Sequence, residues 1–220
     1  AMPVGDEGAG VRTIIEMVAM TRFDCMVGSS AGQRAAVSQA LHHCSIRSAF
    51  GRVLNEQPLM RNVLADLVLE GEGSLALTMR VARALDHRDD EHEDLLVRLL
   101  TAVGKYWICK RCPTLVAEAM EVHGGNGYVE EGPMPRLFRQ SPLNSIWEGS
   151  GNVMCLDTLR ALVRQPKSAE VLAAEIALAL GKNAAFDRHV AQLQKELRDA
   201  DGIETRARSL TQDIALAMQI

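Results

Sequence analysis

Apolar side chains recur along this chain every three or four residues, the spacing that lays one face of an α-helix against a core. From Val11 to about Cys44 the repeat runs through Ile14, Ile15, Val18, Met26, Val27, Ala35, Ala36 and Leu41. Gly28 and Gly32, about one turn apart, would let a neighbour approach this helix closely. Residues 47–56 break the repeat. Pro58 suits the first turn of a second helix, from Leu59 to about Leu85, with Met60, Val63, Leu64 and Leu67 on one face. The charged stretch 86–94, DHRDDEHED, reads as a solvated turn. A third helix spans 91–122, with Leu96, Leu99, Leu100, Val103 and Trp107 inward and Pro113 placed to bend it. A short helix covers 134–140, and a fourth long one runs from Gly151 to about Arg164, stopped before Pro166. Three more amphipathic pieces follow at 168–181, 184–199 and 203–219, punctuated by Gly181 and Gly202.

Four long helical segments on short links predict an all-α fold, an antiparallel four-helix bundle over 11–166 with extra C-terminal helices in 167–220. Residues 1–10 read as a Gly-rich loop, with Ala1-Met2 a leftover ahead of the natural segment. Only 4% of residues are aromatic, which favours helix over sheet. A net charge of −4 carries no global basic signal for nucleic acid. No apolar run approaches the ~20 residues that span a bilayer, so no membrane partner is expected. Cysteines 25, 44, 109, 112 and 155 are odd in number and apolar in surroundings, which predicts free thiols in a cytoplasmic setting. Cys109-x-x-Cys112 lies in a helical pattern with no second pair, so it reads as structural thiols and not a metal site. His87 and His92 read as surface residues.

The least helix-like stretch is 121–160. It carries two glycine clusters, Gly124-Gly125-Asn126-Gly127 and Gly149-Ser150-Gly151-Asn152, with Trp147 and Glu148 just ahead of the second. A carboxylate beside a large aromatic, next to a helix start that can face an anion, suits acid/base chemistry. On composition alone the same residues suit two loops that close helices.

Three motifs in order make the chain recognisable. Glu121-Val122-His123-Gly124-Gly125-Asn126-Gly127-Tyr128 resembles the Q-x-x-G-G-x-G-[FY] motif of acyl-CoA dehydrogenases. Ile146-Trp147-Glu148-Gly149-Ser150 resembles that family's I-[YW]-E-G-[TS], and Arg47-Ser48-Ala49-Phe50-Gly51 with Gln57 and Leu64-Ala65-Asp66-Leu67 resembles R-x-x-F-G…Q…L-A-[DE]-[ML]. Met20 to Cys25, Gln57 to Arg61, Ala117 to Val122 and Asn144 to Asn152 are similar to the family's AidB-like, alkylation-response branch, and the continuation past Arg164 also fits that branch. The resemblance covers roughly residues 10–200.

The resemblance implies the C-terminal helical domain of an FAD flavoprotein that acts on an acyl-CoA thioester. Such an enzyme takes a proton from the carbon α to the thioester and passes hydride from the β carbon to flavin. The resemblance implies Glu148 as the catalytic base. It implies Arg47, Phe50, Gln57, Glu121, Gly124, Gly125, Ser150 and Asn152 at the cofactor, partly across a boundary in a homo-dimer or tetramer. It implies Arg22, Trp147 and Gly149 at the substrate. The family's N-terminal helical and β-barrel domains have no counterpart here, which implies only part of a site. Three departures stand out: Glu121 replaces the usual Gln, Ala19 a frequent Asp, and Trp147 the commoner Tyr. A second reading is nucleic-acid binding, associated with the AidB-like branch, through Arg160 and a strip with Arg136, Arg139, Arg164 and Lys167 that faces only Glu148 and Asp157 within 133–167. A third is an assembly domain without catalysis of its own.

Overall fold

In the computed structural model, residue 2 and residues 4–219 are described, so the reading of Ala1 lies outside them. Nine α-helices form among these residues. They are α1 (Gly10–Ile46), α2 (Pro58–Asp86), α3 (Glu91–Val122), α4 (Gly125–Tyr128), α5 (Met134–Gln140), α6 (Gly151–Arg164), α7 (Lys167–Ala177), α8 (Ala184–Arg198) and α9 (Ala207–Ala217). The all-α bundle with additional C-terminal helices is therefore the fold. The sequence pattern located α1, α2, α3, α5 and α6 to within a few residues.

Helix α3 is the axis. Leu96, Leu99, Leu100, Val103 and Ile108 are fully buried, because α1, α2, α6, α7 and α9 all pack against it. Its start is fixed by Asp90, whose carboxylate accepts the His92 amide at 2.7 Å, while Glu91, Glu93 and Asp94 face the positive end of the helix dipole. The charged turn of the sequence thus doubles as a helix cap.

Two cores lie along α3. One joins Met26, Leu77, Leu100, Trp107 and Met154 to the C-terminal helices through Leu172, Phe186, Leu210 and Ile214. The other joins Ala36, Val37 and Ala40 of α1 to Leu64 and Leu67 of α2 and to Leu115, Val116 and Met134. The side chain of Arg80 on α2 ties α7 to the start of α3 through Glu175 and Glu93.

Three local features depart from the pattern reading. The start of α1 is helical but bare: Ile14 and Ile15 are exposed, because no other element of the chain reaches far enough along α1 to cover them. Residues 48–53 hold a two-stranded ribbon, β1 (Ser48–Ala49) and β2 (Arg52–Val53), too short for any periodicity to announce. Residues 125–128, expected as loop, wind one helical turn.

Candidate active site

Glu148 stands in the turn between a 3-10 segment at Leu143–Ser145 and the start of α6. Its φ is +57°, a left-handed conformation that costs an L-residue about 1–2 kcal/mol. Gly149 follows at φ +100°, where a Cβ would also stand 2.7 Å from Met154 Cε, so only glycine fits.

Cations from the bundle hold this turn. Lys105, 1% exposed in the middle of α3, donates from Nζ to the carbonyls of Asn144 (3.0 Å), Trp147 (2.8 Å) and Gly149 (2.8 Å). Arg22 of α1 donates from Nε to the carbonyl between them, that of Glu148, at 3.0 Å. Three successive carbonyls, 147 to 149, therefore each accept a charge-assisted hydrogen bond. Burial pulls the Lys105 ammonium below its ordinary range, while the nearby Cys109 and Cys25 thiols and Glu148 pull it back up. Its three acceptors match the three protons of an ammonium group, one more than a neutral amine carries.

Asn144 completes the mount. Its side-chain Nδ2 donates to Ser29 Oγ at 3.1 Å on α1, and its Oδ1 accepts the Trp147 indole N–H at 3.0 Å. Gly28 admits this approach, since a Cβ there would lie 3.2 Å from the Asn144 amide. Trp147, the large aromatic beside the carboxylate, is 49% exposed. Cys109 and Cys112 face α1, donating to the carbonyls of Cys25 (3.4 Å) and Ser29 (3.6 Å).

Asp157 on α6 gathers three arginines. Arg22 reaches it at 3.1 Å, Arg98 in a fork at 2.9 and 3.2 Å, and Arg160 at 3.1 Å. Arg22 thereby links the Glu148 backbone to a cluster of three cations on one carboxylate.

The remaining predicted residues fall elsewhere. Arg47, Gly124 and Gly125 share a cleft of about 260 Å³ with His43, His123 and Asn126. His43 and His123 stack with ring centres 4.6 Å apart, and burial holds the His43 imidazole below its usual pKa. Phe50, at φ +54° and 96% exposed, and Gly51, at φ +82°, form the two-residue turn of the β1–β2 ribbon. Gln57 is committed inside the chain, donating to the Ala49 carbonyl at 3.2 Å. Glu121 is exposed, and its carbonyl accepts the Gly124 amide at 2.8 Å. Ser150 precedes α6 without a side-chain cap bond, and Asn152 is exposed on its first turn.

Partners from outside 133–167 change the basic strip. Arg139 pairs with Glu130 at 2.6 Å and Lys167 with Glu91 at 2.6 Å, while Arg160 pairs with Asp157. Counting charge within the window missed Glu130 and Glu91. Sequence reading also passed over Lys105, Arg98 and the side-chain role of Asn144. The available signal was a lysine in inward register on α3, four residues from Thr101 and four from Cys109.

The buried helical bundle and the carboxylate turn mounted on it define a helical domain of the acyl-CoA dehydrogenase class. Residues 8–163 match the family model "Acyl-CoA dehydrogenase, C-terminal domain", and the chain belongs to that family. It is 51% identical over 195 residues to the Escherichia coli (strain K12) protein AidB, covering 89% of this chain and 36% of the relative. It is 34% identical over 161 residues to "Acyl-CoA dehydrogenase family member 11" of Caenorhabditis elegans, covering 71% and 26%. The solved structure of Caenorhabditis elegans ACDH-11 in complex with C11-CoA superposes at a TM-score of 0.91 with 29% identity, covering 98% of this chain and 40% of that one. The chain thus spans 36% and 26% of the length of these curated relatives. Among the described residues no helix is long and apolar enough to cross a membrane.

Proposed function

We propose that this chain is the base-bearing helical domain of an FAD-dependent acyl-CoA dehydrogenase, with Glu148 taking the α proton of an acyl-CoA thioester. The observation that carries it is the mount of Glu148. A strained carboxylate turn is fixed by a buried lysine and a half-buried arginine, the rigid support that a base needs to meet one carbon atom. When bound, the flavin would accept the hydride from the β carbon. The cleft around Arg47, Gly124 and Gly125 fits a diphosphate: its lining holds no carboxylate, Cβ positions on both glycines meet only open space, and a guanidinium stands at its side. Arg47 would pair with the diphosphate, with Gly124 and Gly125 allowing close approach. Phe50, Gln57, Glu121, Ser150 and Asn152 belong to the same cofactor half in this reading, and Trp147, Gly149 and Arg22 to the substrate half. Glu148 would hold the abstracted proton while the bundle keeps its turn in place.

The expected result is a loss of about 10²–10⁴-fold in turnover for Glu148→Gln in the flavin-loaded gene product, with flavin content unchanged. Acyl-CoA thioesters including C11-CoA are the probes, and full turnover by the variant would place the base elsewhere.

A homo-dimer or tetramer and a cytoplasmic location go with this proposal, the latter supported by five free, buried thiols. Light scattering on the gene product checks the assembly; a monomer would count against it. DNA has weaker support on the strip around Arg160, where three of five cations are matched by carboxylates.

A further inference from the structure

Lys105 is an expensive residue to bury. A charge moved into a protein interior loses its hydration and persists only where hydrogen bonds replace it. Here the replacement is complete: three ammonium protons, three carbonyl oxygens, all within 3.0 Å. None of the three acceptors belongs to the lysine's own helix. All lie in 144–149, the segment that ends in the Glu148 turn, and two of them flank Glu148 directly.

The geometry points to a positioning role: we propose that the Lys105 ammonium is the clamp that fixes the direction of the Glu148 carboxylate, by gripping the carbonyls on either side of it. This rests on Glu148 being the base, as proposed above. Through the Trp147 carbonyl Lys105 holds the peptide plane before Glu148, through the Gly149 carbonyl it holds the plane one residue beyond, and Arg22 takes the Glu148 carbonyl in the plane between them. The φ of +57° at Glu148 is the conformation that Lys105, with Arg22 on the carbonyl between its two grips, maintains against its intrinsic cost. Asn144, gripped through its own carbonyl, extends the clamp to Trp147 through the indole bond.

Lys105 cannot reach substrate through this arrangement, since all its protons are taken; it acts through Glu148. A plain core role and a positioning role therefore differ in what the variants change. Lys105→Met keeps the unbranched shape of the side chain, one atom shorter, and removes every donor. Lys105→Gln keeps two.

The test is made on the intact, flavin-loaded gene product. Hydrogen–deuterium exchange should quicken at least about tenfold in peptides over 143–152 for Lys105→Met, with α1 and α3 unchanged, and less for Lys105→Gln. With C11-CoA and shorter acyl-CoA thioesters, kcat should fall roughly 100-fold for Lys105→Met while KM stays within about threefold, as expected when a reacting group is displaced by about an ångström. Lys105→Gln should fall between. Unchanged exchange over 143–152, or exchange that quickens uniformly through the bundle, would overturn the clamp. Local loosening with unchanged kcat would overturn its role in positioning. If Glu148→Gln turns over normally, or the wild type turns over none of these thioesters, the base reading fails by itself, while the exchange experiment still decides whether Lys105 holds the turn.

Discussion

Two residues other than glycine adopt positive φ among the described residues, Phe50 at +54° and Glu148 at +57°. Both lie in motifs that made the sequence recognisable, yet they are supported in opposite ways. The Glu148 turn is fastened to the bundle by Lys105, Arg22 and Asn144. The Phe50 turn is a bare two-residue loop on a four-residue ribbon, its ring 96% exposed and its one side-chain tie the Gln57 bond to Ala49. Both central residues of that loop have positive φ, a pattern that Asn-Gly serves far better than Phe-Gly. The two strained turns teach that this chain carries the support for its carboxylate within its own core, whereas the aromatic ring proposed for the cofactor half is offered outward without internal support.

The largest effect expected on this contrast comes from Asp157→Ala. It strips the counter-charge from Arg22, Arg98 and Arg160 and should lower stability by about 3 kcal/mol, the low end for a buried pair because Arg98 and Arg160 reach solvent. Urea unfolding measures it, and a loss below about 1 kcal/mol would mean that the cluster is already solvated.

Alkaline pH should act next, on both cores. Burial raises the Cys109 thiol to about 11 and Cys112 to about 12, and raises Cys25, Cys44 and Cys155 as well, all from an ordinary 9.0. A folded pKa above the unfolded one means that the folded state holds more protons through that window, so stability falls as pH climbs past 9. Lys105, whose pKa is lowered, works in the other direction between its folded value and 10.5, one amine against five thiols. The melting temperature should drop on passing pH 9, and a flat profile there would contradict the burial of the thiols.

Phe50→Asn should stabilise the chain by about 0.5–1 kcal/mol, because asparagine tolerates the left-handed region and no packing is lost with the ring. A destabilised variant would show that the ring packs within the protein. Gln57→Ala should cost less than about 1 kcal/mol, the net value of one half-buried hydrogen bond, and should loosen exchange only in residues 47–57.

The fold was legible wherever an element is long and its apolar residues recur at helical spacing. Leu64 and Leu67 of α2 and Leu96, Leu99 and Leu100 of α3 follow from spacing and are buried, whereas buried Leu77 and Leu115 do not, and α3 is covered on every side from 99 to 109. Glu148 was legible from its motif, with Trp147 before it and Gly149 after. Lys105 was not, because its acceptors lie 39, 42 and 44 residues further along the chain and are backbone oxygens that any sequence would possess. The exposure of Ile14 and Ile15 was hidden for the converse reason. Helical spacing marks an apolar face, but whether another element reaches that face depends on the length and tilt of its neighbours.

By itself the sequence determined every helix but α4, their order and the motif that carries the carboxylate turn, since these follow from local periodicity and from short runs of neighbouring residues. Tertiary structure alone decided which cation grips which carbonyl, that Asp157 gathers three arginines and that Arg139 and Lys167 are spoken for. Those are matters of distance between side chains and backbone far apart in the chain, and burial, which sets the strength of each such contact, exists only once the helices have packed.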